Sequence, residues 1–308
     1  MVVLLALDPY DTGRFALFGE HGVPRFGQRL ADAGLARAQD VNAAIIGNST
    51  IQLIDPARLG AVAGLHMISL AIPGTGPREQ LAVARWLLRH HPGAQLRGLV
   101  LGLDATWCRG DGRLPLANPF PFWLYGDSTL DYALSMMRMQ SFDAAGRKIK
   151  LLLGRAEPAP ADGYSDYDRD RVWDVHGLEQ RLDDEAGEPE TPSEAGPDLA
   201  AIPLLARFLG ELPPQTALVL VFPPRHHKAL PPPDSPAARR LEACKAGVSA
   251  LVARRPRTRV IDFARDGDIA EHDENFWDGI HYRSPVARLM EGEIAISLGE
   301  ARQASETP

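Results

Sequence analysis

A serine, an aspartate and a histidine that could act together in acyl transfer occur in two distant motifs of the sequence. Ser49 follows a short apolar run and a glycine, and Asp278 and His281 are separated by two residues near the C-terminus. A serine hydroxyl is a weak nucleophile until a base takes its proton. We expect His281 to be that base, and Asp278 to fix its tautomer and stabilise the imidazolium. The pattern predicts a Ser-His-Asp triad.

Each motif also has a purely structural interpretation. A Gly-Asn-Ser turn after a strand is often only a helix cap, and an aspartate before a surface histidine often caps a helix as well. The functional interpretation requires that the two motifs meet. It therefore depends on the elements that carry them.

Short apolar runs and stretches of helical periodicity alternate along the chain. The strand candidates are 43–47, 66–72, 98–103, 217–222 and 259–263. The helix candidates are a short segment opened by Asp55-Pro56, then 79–91, 130–153, 199–212, 235–253 and 285–298. This alternation predicts a three-layer α/β/α sandwich with a parallel, flavodoxin-like five-stranded sheet.

The predicted sheet would bring the two motifs together, because loops at the carboxyl ends of parallel strands share one edge. Ser49 would lie at the tip of a strand-to-helix turn. Free backbone N–H groups and the positive helix end would favour an oxyanion there. Asp278 and His281 follow the last strand and would reach the same edge.

Composition excludes several classes of protein. The chain has 308 residues, a net charge of −7, 45% hydrophobic and 24% charged residues, as ordinary globular proteins do. The acidic balance argues against a nucleic-acid partner. Two cysteines, Cys108 and Cys244, are expected neither to staple a fold of this size nor to form a thiolate metal cluster. No apolar run approaches the ~20 residues of a membrane-spanning helix.

The domain prediction is one α/β domain over residues 40–300. Residues 1–39 are predicted to be an N-terminal extension. Its apolar start is either a short buried strand, a frayed end or the end of a truncated membrane anchor. An acidic, proline-rich insertion is predicted at about 155–198, and its most biased part, 183–198, is predicted to be a long loop or disordered. Residues 301–308 are predicted to be a disordered tail.

The chain resembles the SGNH (GDSL-type) hydrolase superfamily, and most of all the bacterial SGNH hydrolase-like proteins related to the alginate O-acetylation enzymes. The resemblance spans roughly residues 40–298 and is carried by AAIIGNSTIQLIDPARL, ISLAIPGTGPRE, GLVLGLD and NFWDGIHYRSPVARLMEGEI. The esterase elbow G-x-S-x-G of the larger α/β-hydrolase family is absent, because Ile51 occupies the place of its last glycine.

The resemblance implies Ser49 as nucleophile, His281 as general base and Asp278 as its orienter. It also implies an oxyanion hole made by the backbone N–H groups of Ser49 and Gly74, with Asn48 as a candidate further donor. No cofactor is implied.

The sequence departs from the family pattern at two positions. Asn48 replaces the usual aspartate before the nucleophile, and Asp104 replaces the asparagine that donates to the oxyanion. An ionised carboxylate only accepts hydrogen bonds, and losing one such donor typically costs about 10²–10³ in turnover. Either Asp104 is protonated, or Asn48 or another group donates, or catalysis is weak.

The segment after Asp104 is unusually aromatic for a loop at this edge. Aromatic faces pack against sugar rings. The residues predicted to bind substrate here are Asp104, Trp107, Trp123 and Tyr125, and the aromatic ones would form a glycan platform. The alternatives are that the rings cover the sheet edge, seal a subunit contact or face a membrane.

Several histidines invite a metal interpretation. His226 and His227 follow the fourth strand, and His272 and Asp273 precede the triad motif. Their spacing matches no tight metal-binding signature. The prediction is therefore no metal, with His226 facing solvent or helping to bind substrate.

These features predict an ester hydrolase or O-acetyltransferase that acts through an acyl-serine. The resemblance implies acetylated cell-surface or exported polysaccharide as substrate, a partner in membrane-associated polysaccharide machinery, and a periplasmic or membrane-anchored location. A small ester is the other candidate substrate. The alternative from another class is an SGNH-fold glycan-binding or assembly protein with weak or no catalysis. A metal-dependent phosphoesterase is a third hypothesis.

Overall fold

Five short strands form one parallel sheet at the centre of the computed structural model, which describes residues 2–15, 22–25, 27–110, 114, 116, 118–186 and 199–304. The strands are β1 Ala43–Gly47, β2 Met67–Ala71, β3 Gly98–Gly102, β4 Ala217–Phe222 and β5 Thr258–Asp262. Their order is β2-β1-β3-β4-β5, and every pair is parallel. The predicted flavodoxin-like sheet is confirmed.

Helices cover both faces of the sheet. In chain order they are α1 Val2–Leu7, α2 Gln28–Leu35, α3 Pro56–Ala63, α4 Pro77–His90, α5 Phe122–Tyr125, α6 Thr129–Ser135, α7 Met139–Leu152, α8 Val175–Ala186, α9 Ala201–Glu211, α10 Pro236–Val252, α11 Asp268–Glu271 and α12 Ser284–Gln303. One core cluster joins the sheet to α2, α4, α9 and α10, and a second joins it to α3, α8 and α12. This is the predicted three-layer α/β/α architecture.

The helix starts follow ordinary capping chemistry. The Asp55 side chain accepts hydrogen bonds from the N–H groups of Ala57 and Arg58, and Pro56 occupies the first turn of α3. Ser235 caps α10 in the same way, ahead of Pro236. These signals are local, which is why the sequence located these starts to within a residue or two.

The single helix predicted over 130–153 is wrong. The structure has two helices there, α6 and α7, separated by extended backbone at Arg138. The break allows Met136 and Tyr132 to be fully buried while α7 turns a different face to the core. The periodicity of the two helices is similar, so the sequence pattern did not show the break.

Two boundary predictions are corrected as well. The last helix continues to Gln303 with Ala301 fully buried, so residues 301–303 are not a disordered tail, and 305–308 lie outside the described residues. Within the acidic stretch, 183–186 belong to α8, and 187–198 lie outside the described residues. The apolar start forms α1, not a strand. Among the described helices, none is both long and apolar enough to cross a bilayer.

Cys108 and Cys244 form a disulfide, with their Cα atoms 5.4 Å apart. It joins the 3₁₀ helix Ala105–Cys108, which follows β3, to α10. The expectation that these cysteines do not staple the fold is therefore wrong. The two cysteines are 136 residues apart in sequence, so the tertiary fold brings them together.

Candidate active site

Ser49, His281 and Asp278 form one continuous hydrogen-bonded chain at the carboxyl edge of the sheet. The Ser49 Oγ atom lies 2.8 Å from His281 Nε2. His281 Nδ1 lies 2.7 Å from Asp278 Oδ2. The structure thus brings together the three side chains that the sequence motifs predicted would meet.

The charge of Asp278 determines which atoms carry the protons in this hydrogen-bonded series. Burial raises the pKa of Asp278, but the hydrogen bond and charge of His281 and two backbone N–H donors outweigh it, so the net pKa lies below the usual value. An ionised Asp278 accepts the Nδ1 proton of His281, which leaves the Nε2 lone pair to accept the Ser49 O–H. This is the tautomer that a general base requires.

A tight turn after β1 holds Ser49. The Asn48 Oδ1 atom accepts hydrogen bonds from the backbone N–H and the hydroxyl of Thr50, at 3.0 and 2.8 Å. The following helix begins only at Pro56. The expected contribution of a positive helix end at Ser49 is therefore wrong, because the macrodipole acts only near the first turn of its own helix.

Two glycines at strand ends make room beneath this turn. A Cβ on Gly47 would lie 2.6 Å from Cγ2 of Ile51, and one on Gly102 would lie 3.1 Å from its Cβ. Ile51 is fully buried between β1 and β3. Ile51 stands at the position of the last glycine of the G-x-S-x-G elbow, and its side chain fills the space under the turn.

Asp278 and His281 lie in a small closed loop. Phe276 and Tyr282 form an antiparallel bridge across it, and the Trp277 N–H donates to the His281 carbonyl at 2.8 Å. The Asp278 Oδ1 atom accepts from the N–H groups of Ile280 and His281 at 2.9 and 2.7 Å. We call residues 276–282 the triad loop.

The sequence analysis missed the residues that hold the triad loop from outside. Asp168 accepts from Trp277 Nε1 at 2.5 Å and from the Ser284 N–H at 2.8 Å. Trp173 Nε1 donates to the Phe276 carbonyl at 3.1 Å. These residues belong to the stretch predicted to be an insertion, and their hydrogen bonds hold the triad loop in place.

Two further contacts from this stretch reach the triad loop. The Tyr167 ring packs edge-on against the His281 ring, with centroids 5.6 Å apart. The Gly279 N–H donates to Glu185 Oε2 at 3.2 Å, and a Cβ on Gly279 would lie 2.2 Å from that oxygen. The aromatic residues of 164–173 were the available signal, because aromatic residues are rare in disordered segments.

The predicted oxyanion hole consists of the backbone N–H groups of Ser49 and Gly74, with Asn48 as a candidate further donor. In the described part of the chain, no hydrogen bond uses the N–H of Ser49 or that of Gly74. The loop that carries Gly74 lies against the Ser49 turn, because the Asn48 Nδ2 atom donates to the Thr75 carbonyl at 3.1 Å. This bond engages one amide proton of Asn48 and holds the turn in place.

Asp104 is half-buried beside this turn. Burial raises its pKa, while hydrogen bonds from Thr106, at 2.7 Å, and from Asn48 act in the opposite direction. Arg225 lies near Asp104. Burial lowers the pKa of Arg225, and the negative charges of Asp104 and Glu185 counteract this lowering. The buried Arg225 Nε atom has no partner within the described residues. Asp104 and Arg225 line a cavity of about 40 Å³ that also borders Thr50.

The predicted substrate-binding roles of three other residues are wrong. Trp107, Tyr125 and His226 are 0–2% exposed, and each bonds to protein: Trp107 Nε1 to Gln80 at 2.8 Å and the Tyr125 hydroxyl to the Arg29 carbonyl at 2.9 Å. Buried rings offer no face to a sugar. Trp107 and Tyr125 therefore pack into the core.

Trp123 also belongs to this packing. Its ring lies 5.6 Å from that of Tyr10 and 5.8 Å from that of Tyr132. Its indole nitrogen is buried. Nothing in its surroundings favours the predicted contact with substrate.

His226, His227 and Asp273 are the described residues whose donor atoms could hold a metal ion, since these atoms lie within 4.8 Å of one another. The His226 Nδ1 atom, however, accepts from the Lys228 N–H, and His226 Nε2 lies 2.9 Å from Asp273 Oδ1. Both ring nitrogens are thus satisfied by protein. The backbone N–H of His226 also donates to the Gly279 carbonyl at 3.0 Å, so the His226–Asp273 pair supports the triad loop.

Comparisons with known proteins add little to this geometry. No protein-family model and no curated protein matches the chain. Among solved structures, it is similar to BT4096, a gut microbial diltiazem-metabolizing enzyme, with a TM-score of 0.41 and 9% identity over 91% of this chain and 49% of that one. The chain thus spans about half the length of that structure. A similarity this weak carries no argument about activity.

The hydrogen bonds to Asp168 should make the triad loop sensitive to acid. Burial raises the pKa of Asp168. Hydrogen bonds from Ser284 and Trp277 and the charge of Arg283 outweigh this effect, so the net pKa lies below the usual value. A carboxyl group whose pKa is depressed in the folded protein stabilises the fold at pH values above its unfolded pKa, which is about 3.9. This contribution is lost as the pH falls through the folded pKa. We expect Asp168→Asn to lower Tm by about 2–4 °C at pH 7, as a loss near 1 kcal/mol would.

Melting curves against pH check this expectation. The difference in Tm between wild type and Asp168→Asn should shrink as pH falls below about 4. Asp143→Asn, on the exposed face of α7, is the matched control and should follow wild type. A difference that persists unchanged at pH 3 would contradict the assigned role of the Asp168 charge.

Proposed function

We propose that this chain is an SGNH-type serine esterase or O-acyltransferase that works through an acyl-serine at Ser49. One observation carries the proposal: the Ser49–His281–Asp278 hydrogen-bond chain, with distances of 2.8 and 2.7 Å. The order of the motifs and their placement after β1 and β5 support it, because they match those of the superfamily that the sequence resembles.

In this proposal His281 Nε2 takes the Ser49 proton as Oγ attacks the ester carbonyl. The N–H groups of Ser49 and Gly74 stabilise the resulting oxyanion. The tetrahedral intermediate then expels the alcohol, which takes the proton from His281, and leaves the acyl group on Ser49. Water or a sugar hydroxyl, deprotonated by His281, then attacks the acyl-serine. The second tetrahedral intermediate breaks the bond between the acyl carbon and Ser49 Oγ, releases the carboxylic acid or the new sugar ester, and Oγ takes the proton back from His281.

The substrate proposal is an acetyl ester of cell-surface or exported polysaccharide, and it rests on the resemblance alone. The buried Trp107 and Tyr125 offer no support for a sugar platform. The disulfide between Cys108 and Cys244 supports a periplasmic or other oxidising location, because disulfides persist mainly outside the reducing cytosol. A membrane-associated polysaccharide machinery is proposed as the partner on the same resemblance.

One observation favours the second candidate, a glycan-binding or assembly protein with weak or no catalysis. The half-buried carboxylate of Asp104 occupies the place of the family's oxyanion donor, and one amide proton of Asn48 is engaged by the Thr75 carbonyl. A negative charge there would oppose the oxyanion. The labelling experiment below decides between the two candidates.

A fluorophosphonate probe tests the proposal directly. We expect intact-mass spectra of the wild-type protein to show one covalent adduct, because the triad activates one serine. Ser49→Ala should show none. Ser249→Ala, which removes an exposed hydroxyl on α10, should be labelled as wild type is. A folded wild-type protein that is not labelled would refute the acyl-serine and favour the non-catalytic candidate.

A further inference from the structure

The helices α6 and α7 expose an apolar surface where a globular protein usually exposes polar residues. Large apolar side chains point to solvent on both helices and on the connection between them, with exposed fractions of 48–83%. They include Leu130, Leu134, Met137, Met139, Phe142 and Leu153. We call this surface the α6–α7 face. Apolar residues exposed singly are ordinary, whereas a contiguous group marks a contact surface.

Helix α7 exposes large apolar residues on one stripe and buries two polar side chains on the other. Positions 139, 142, 149 and 153 fall on one helical stripe and are exposed. On the opposite stripe, Ser141 and Lys148 are buried together with Ala144 and Ala145. The Lys148 ammonium is held inside by Asp11, at 3.2 Å, and by the Gly22 carbonyl, at 2.7 Å. The helix thus buries polar groups at a desolvation cost and leaves its apolar stripe outside.

The charge of this region differs from that of the whole chain. Residues 129–155 contain four exposed basic and two exposed acidic side chains, besides the buried Lys148, in a protein whose net charge is −7. Lys150 and Arg155 are exposed at the end of α7 next to the apolar stripe. Helix α1 packs against α7 and adds Val2 and Val3, which are 76% and 75% exposed.

We propose that the α6–α7 face docks on the surface of an anionic lipid membrane. Apolar side chains beside lysine and arginine are the combination by which helices lie in the membrane interface. The apolar residues would enter the boundary between headgroups and acyl chains, and the basic side chains would contact lipid phosphates. The inference does not depend on the proposed function, because the triad lies in other elements.

A second copy of the chain fits this face less well. Two copies joined through it would bring their basic side chains together, and like charges oppose such a contact. An anionic bilayer offers the opposite charge over the same area. The charge of the face therefore favours lipid over self-association.

Vesicle co-sedimentation of the full chain tests the proposal. We expect the protein to bind phosphatidylcholine vesicles that contain phosphatidylglycerol, and salt to weaken this binding. The variant Leu134→Glu/Met139→Glu/Phe142→Glu should bind at least about 10-fold more weakly, because it removes the apolar contribution. Lys150→Gln/Arg155→Gln should lose about five-fold per charge on these vesicles, and should bind neutral vesicles as wild type does.

A matched control places the same three changes elsewhere. Val62, Leu289 and Ile296 are exposed apolar residues on α3 and α12, and their replacement by glutamate should leave vesicle binding unchanged. Melting temperature and circular dichroism show that every variant is folded. Wild type that does not bind anionic vesicles at low salt, or equal losses in the two triple variants, would overturn the proposal. A wild-type dimer that becomes monomeric only in the α6–α7 variant, without vesicle binding, would overturn it in favour of self-association.

Discussion

Replacing Ser49 by alanine is expected to lower kcat for p-nitrophenyl acetate by about 10⁴-fold or more. Without Oγ no acyl-serine forms, and His281 and Asp278 have no hydroxyl to activate. Loss of a triad nucleophile leaves only the residual rate that binding and the oxyanion hole supply. The N–H groups of Ser49 and Gly74 remain in the variant, so this residual rate should stay above that of buffer.

Steady-state kinetics at matched protein concentration checks this expectation. Melting temperature should change little, because Ser49 is half-buried at the tip of a turn and packs no core. Ser249→Ala provides the same chemical change on α10 and should retain full activity. Activity that survives in Ser49→Ala would show that the esterase reaction does not use this serine.

The second large effect is expected for Asp278→Asn, with kcat lowered by about 10⁴-fold. The amide oxygen can still accept from the N–H groups of Ile280 and His281, which hold Oδ1 now. The amide NH₂ would then face His281 Nδ1 as a donor. His281 would have to carry its proton on Nε2, and it could no longer accept the proton of Ser49.

The loss should therefore come from the tautomer and not from the fold. Circular dichroism and melting of Asp278→Asn should resemble wild type, while kcat falls and KM changes little. Asp266→Asn, an exposed carboxylate after β5, should retain activity. An Asp278→Asn variant within 10-fold of wild type would show that Asp278 does not set the tautomer of His281.

Much of the fold could be predicted because its signals are local. Buried parallel strands are continuous apolar runs, and all five were located to within one residue at each end. Asp55 and Ser235 marked helix starts by capping. The break between α6 and α7 could not be predicted, because it depends on which side chains the rest of the fold buries.

The triad could be predicted from topology, whereas its surroundings could not. Ser49 and His281 follow strands, and the edge rule for parallel sheets brings such residues together. Trp107 and Tyr125 show the limit of this reasoning. An aromatic side chain has the same chemistry in a core as in a sugar site, and only the tertiary structure distinguishes the two.

The support of the triad loop was missed for a related reason. Composition described 155–198 as one acidic, proline-rich stretch, although Asp168 and Trp173 lie within it. A few hydrogen bonds from such residues fix a loop without changing the average composition. The disulfide was missed likewise, because a separation of 136 residues says nothing about distance in space.

The segment that holds the triad loop also shields the open side of β2. Strand β2 lies at one edge of the sheet, where unpaired backbone groups can recruit strands of other molecules. The Asp162 carbonyl accepts from the Ser69 N–H at 2.7 Å. Gly163 lies so near that a Cβ would be 2.1 Å from the Ser69 carbonyl oxygen. The same stretch of chain therefore orders the histidine and protects the protein against aggregation by sheet extension.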